Sequence, residues 1–184
     1  MAIEEPAYQI VTKNENYEIR EYKETLIAET EVESDFDEAG NKAFRVLADF
    51  IFGNNISKTE IAMTAPVAQQ KSEKISMTAP VTQEQKNGKF FVSFTMPSKY
   101  TLETLPQPRD NRVQIRVLPT RKVAVFAYSG SWSEKKYNEK LSEFQNLLNS
   151  NGIKTKGSPV FARFNAPWTL WFLRRNEIWL EVQP

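Results

Sequence analysis

The chain has 184 residues, 40% of them hydrophobic and 26% charged, with a formal net charge of +1. That composition suits one globular domain, or two small halves on one core, without the basic excess that grips a nucleic-acid backbone. Cysteine and histidine are both absent, which removes disulfides, thiolate or imidazole zinc sites, and Ser-His-Asp or Cys-His catalysis.

Residues 17–22 (YEIREY) and 26–32 (LIAETEV) alternate apolar and polar side chains, predicting two strands with a short turn between them. A helix is predicted over 35–53. Phe36, Ala39, Ala43, Val46, Leu47, Phe50 and Ile51 follow the 3–4 spacing of a buried stripe. Ser34 or Asp35 can cap its start and Gly53 its end. Two near-identical segments come next, IAMTAPV at 61–67 and ISMTAPV at 75–81. They read as the strands of a hairpin, with Pro66 and Pro80 placing them at an edge or over a bulge. Such a ribbon either closes one side of the sheet or forms a flap carrying Met63 and Met77 over a pocket.

Strands are predicted at 89–97, 113–119 and 122–130, with a Pro-bearing connector over 98–111. A second helix is predicted over 133–152, with Tyr137, Leu141, Phe144 and Leu148 as its stripe. Ser131 and Glu134 have capping-box spacing, and Gly152 suits the C′ position. Strands at 159–165 and 170–182 close the chain. Strand, strand, helix, strands thus occurs twice. Ile19-Arg20 aligns with Ile115-Arg116, and Ile27-Ala28 with Val123-Ala124. We read one domain over 1–184, with internal repeats at about 15–97 and 111–182. The class is α+β, with a curved, mostly antiparallel sheet.

The first helix carries a second apolar line, Phe44, Ala48 and Phe52, flanked by Asn41 and Arg45. The hairpin or the C-terminal segment could cover it; so could a flat apolar ligand, with Arg45 meeting an anionic group at the rim. At the end of the chain, Glu177, Trp179 and Glu181 share one side of a strand. That face suits a cation, unless Arg174 and Arg175 pair with its acids. No complete catalytic set and no glycine-rich phosphate loop is present, so an enzyme is less expected than a binding protein. A hydrolase using Glu177 or Glu181 as base is the enzymatic alternative.

MTAPV, RRNEIWLEV, DFDEAGNKAF and the opening IEEPAYQIV…YEIREY together resemble the SOUL haem-binding protein family, from about residue 4 to 182. The resemblance implies a duplicated βαββ unit. Its strands would form an eight-stranded distorted antiparallel β-barrel, flanked by two long α-helices. It also implies likeness to bacterial multidrug effector-binding domains, which bind apolar cations. The implied function is binding of haem or another tetrapyrrole in a shallow apolar cleft along the first helix. Alignment on Asp37-Glu38-Ala39 places Asn41, Phe44, Arg45, Leu47, Ala48 and, from the C-terminal segment, Leu170 at that site. Here the chain departs from the family, which has basic residues where Asn41 and Leu170 stand. The family's axial histidine has no counterpart. The expected partner is a small hydrophobic ligand, with no nucleic acid. No run reaches the ~20 apolar residues of a membrane span, and no charged-then-apolar segment opens the chain, so a cytoplasmic location is expected.

Overall fold

The computed structural model describes residues 3–58 and 71–184. The first copy of the repeat, with Met63, lies outside the described residues. Strands β1 (Tyr8–Lys13), β2 (Glu18–Tyr22) and β3 (Thr25–Val32) lead into helix α1 (Phe36–Phe52). Strands β4 (Asn55–Ile56), β5 (Val81–Lys86), β6 (Lys89–Thr95), β7 (Gln107–Pro108), β8 (Gln114–Leu118) and β9 (Arg121–Tyr128) follow. Helix α2 (Glu134–Ser150), β10 (Thr155–Arg163), a 3₁₀ turn (Trp171–Leu173) and β11 (Asn176–Val182) complete the chain.

Both helices start on side-chain caps, each of which stabilises a helix by about 1 kcal/mol. Asp35 accepts from the Glu38 amide at 2.9 Å. For α2 the cap is Ser133, accepting from the Lys136 amide, rather than Ser131. Gly53 ends α1 at φ 131°, a value that only glycine adopts without strain.

Nine strands form one antiparallel sheet in the order β1-β2-β9-β11-β10-β5-β6-β3-β8. The α+β class is as expected, but the sheet is open: among the described residues no pairing joins β8 to β1, so the expected barrel does not close. Despite their short connection, β2 and β3 do not pair with each other. Each instead pairs with a strand of the other half: β2 with β9 and β3 with β8. The register repeats with the sequence. Glu18 faces Val125, and Gln114 faces Glu29; an offset of 96 carries one pair onto the other. Each half therefore lends its first strand to the sheet of the other.

The second MTAPV copy is not a hairpin strand. Residues 71–77 have no regular structure, Thr78 makes one isolated bridge to Glu4, and pairing begins only at Val81. Pro80 has no amide hydrogen to offer a ladder, which fits a strand that starts just after it.

The two helices pack on one face of the sheet. Leu47, Phe50 and Ile51 of α1 bury against Val92, Phe94 and Ile75. Phe144 and Leu148 of α2 bury against Phe126, Phe161 and Ile178. On the other face Tyr22, Val123, Val125 and Trp179 make a smaller cluster, so β11 shows the expected alternation.

Candidate functional site: a cleft beside the first helix

The cleft beside α1 has a volume of about 470 Å³. One wall is the outer side of α1 at Glu38, Gly40, Asn41, Phe44 and Arg45; the second is Met77–Ala79 and Val81, with Ile3; the third is Arg163–Trp168 with Trp132. Phe44 is half-buried and leans its ring against Phe94, centroids 5.5 Å apart. The walls are therefore largely apolar and aromatic, as in small-molecule sites generally.

The floor is cationic. Arg163, at the end of β10, runs under α1 at Gly40. A Cβ on Gly40 would lie 2.4 Å from two guanidinium nitrogens, so glycine here is what lets the arginine pass. A glycine inside a helix costs about 1 kcal/mol relative to alanine, and this close approach is its return. Arg163 reaches Gln83 Oε1 at 3.4 Å and stacks near the rings of Trp132 and Phe161. Its Nε is buried without a hydrogen-bond partner, and no carboxylate among the described residues pairs with it. Burial pulls its pKa down to about 10. An uncompensated, partly desolvated guanidinium is a costly arrangement that an incoming anion relieves.

Of the residues expected along this helix, Asn41, Phe44, Arg45 and Met77 meet at the cleft. Leu47 does not: it is fully buried in the core under α1. Ala48 is also buried in the helix's packed side. Phe52 is 59% exposed, with Lys74 over its ring, and lies outside the cleft. The supposed second line is thus one useful residue, Phe44, because Ala48 rotates inward and Phe52 lies two turns further along. Leu170 is exposed on the loop that carries Trp168 and does not line the cleft. That loop is braced by Arg174, which donates to the carbonyls of Thr169 and Pro167. Arg163 and Trp132 were not among the residues expected from the sequence.

The acid–Trp–acid face is occupied from within. Glu177 is fully buried. Its Oε2 accepts from Arg20 at 3.0 Å and from the Trp179 indole at 2.7 Å; its Oε1 accepts from Arg175 at 2.9 Å. Burial opposes the charge on Arg20, but Glu177 beside it holds that guanidinium above its usual range. Glu181 pairs with Lys156 at 3.1 Å. The pairing expected of Arg175 is present; Arg174 turns to the loop instead, and Arg20, two strands away, takes the second place.

The family model described as SOUL heme-binding protein matches residues 3–181. The chain belongs to the SOUL family. Heme-binding protein 2 of Homo sapiens is 31% identical to it over 173 residues, covering 90% of this chain and 77% of that one. Heme-binding protein 2 of Mus musculus is 30% identical over 168 residues. Among solved structures, the EcmrR C-terminal domain superposes with a TM-score of 0.63 at 13% identity, covering 96% of this chain and 98% of that chain. The likeness to EcmrR is one of fold. No helix among the described residues of this SOUL protein is long and apolar enough to cross a membrane.

Proposed function

We propose that this protein binds haem or another tetrapyrrole in the cleft beside α1, through apolar contact and anion pairing rather than through an axial histidine. The observation that carries the reading is Arg163, an unpaired guanidinium under an apolar cleft. A tetrapyrrole offers both complements: a flat apolar body for Phe44, Met77 and Trp168, and carboxylates for Arg163 and the exposed Arg45. Family membership and the names of the relatives support the ligand class. The residues present fit that group, but with no histidine or cysteine in the sequence an imidazole or thiolate ligand is impossible. Affinity then rests on burial, at ~25 cal/mol per Å² of apolar surface before association costs, and on the guanidinium.

Hemin titration followed by absorbance tests this. The expected result is saturable binding by the wild type, strong loss in Phe44→Asp, and no change in Phe52→Asp. The dimethyl ester of hemin, which lacks the carboxylates, should bind more weakly. Equal binding by Phe44→Asp and the wild type would remove the site, and equal binding by the ester would remove the role of Arg163.

A further inference from the structure

The sheet curls so that strands of both halves line a second cleft, of about 290 Å³, on the face away from the helices. It shares no wall with the cleft beside α1. Val123, Val160 and Trp179 give it an apolar floor, and charged side chains ring it.

The charges do not balance. Each of the three acids in the ring already has a cation: Glu29 with Arg116 at 2.6 Å, Glu84 with Lys86 at 2.9 Å, and Glu181 with Lys156 at 3.1 Å. Arg121, at the start of β9, is left over. Among the described residues no carboxylate lies within ion-pair distance of it. One of its terminal nitrogens is buried without any hydrogen-bond partner. Its guanidinium lies over the Tyr22 ring at 5.6 Å, and burial lowers its pKa. Removing an arginine from water without a partner is unfavourable, and the arrangement becomes favourable once an anion arrives with hydrogen-bond geometry.

We propose that this concave cleft is a binding site for a small carboxylate with a flat apolar body. The carboxylate accepts from Arg121, and the body rests on Val123, Val160 and Trp179. An apolar cation is disfavoured there, because every acid of the ring is already neutralised and the remaining charge is positive. This site is independent of tetrapyrrole binding and uses none of the same residues.

Sodium benzoate is the probe, and the indole N–H resonance of Trp179, assigned with Trp179→Phe, is the readout. Benzoate should shift that resonance saturably at millimolar concentration, while benzamide, of the same shape without charge, and tetraphenylphosphonium should not. Arg121→Gln should weaken benzoate binding about tenfold or more, the size of one lost charged hydrogen bond, and leave hemin titration unchanged. An equal response to benzamide, no response to benzoate, or an undiminished affinity in Arg121→Gln would overturn the proposal. The benzoate and benzamide arms use the wild type alone, so they decide even if the variant fails to fold.

Discussion

The grooves beside the two helices differ in what one helical position carries. Counted from the shared core residues Leu47 and Phe144, Gly40 of α1 corresponds to Tyr137 of α2. Tyr137 is buried and packs its ring against Phe36 and Phe161, with centroids 4.8 and 5.1 Å away. That ring fills the space, and the groove left beside α2 is about 170 Å³. Gly40 fills nothing. Arg163 enters in its place and the groove beside α1 is about 470 Å³. Two similar frameworks thus leave a narrow groove beside one helix and a wider one beside the other, and at the matching position one carries a buried ring and the other no side chain.

The comparison can be broken from either side. Tyr137→Ala should cost ~3–5 kcal/mol by urea unfolding, the usual loss for a buried aromatic. It should not create hemin binding beside α2, because a cavity without a guanidinium has only half of the site. If it did create binding, apolar volume alone would be the determinant. Gly40→Ala is the converse. The new methyl pushes the end of Arg163 into the cleft, so hemin affinity should fall about tenfold, the worth of one displaced charged contact. The melting temperature should hold, since alanine favours the helix and the displaced group is the end of a flexible chain.

Arg163→Met sharpens the point further by separating stability from binding. Removing an unpaired, partly buried charge should raise stability by about 1 kcal/mol, measured by urea unfolding, while hemin affinity falls. A loss of both would show that Arg163 is structural. The smallest effect is expected at the outer side of α2. Lys140→Ala removes the pair with Glu143, 2.7 Å apart and partly exposed, and should change stability by no more than about 0.5 kcal/mol.

Much of the framework is legible in the sequence, because it rests on local rules. Both helices lie within one residue or two of their expected bounds, set by apolar spacing and by Asp35, Gly53 and Gly152. Alternation marks the strands at 17–22 and 26–32. What was hidden depends on distant contacts. Strand β1 is exposed along its whole length and gives no burial pattern to read. Residues 75–80 look strand-like but lie against Glu4 and Ile51 through single backbone bonds, and the ladder begins only at Val81. Arg163 could not be placed, since nothing local links it to a helix more than a hundred residues earlier. The one sequence signal was Gly40 itself, a helix-weakening residue inside a well-formed apolar stripe. Leu47 and Ala48 show the limit of aligning a helix to a site: their letters fit, but the helix rotates them into the core.

The open sheet has a consequence for association. A closed barrel has no unpaired strand, whereas among the described residues β1 and β8 end the sheet, each with one side whose backbone donors and acceptors no described strand takes up. Both ends are spoiled as templates. Strand β1 slips register between Ile10 and Thr12, which kinks it and breaks the spacing that a stacking strand would need. Strand β8 is five residues long, carries Arg116 at its centre and stops just before Pro119. Among the described residues the sheet thus ends on two irregular margins, the kind of edge that disfavours edge-to-edge pairing between chains.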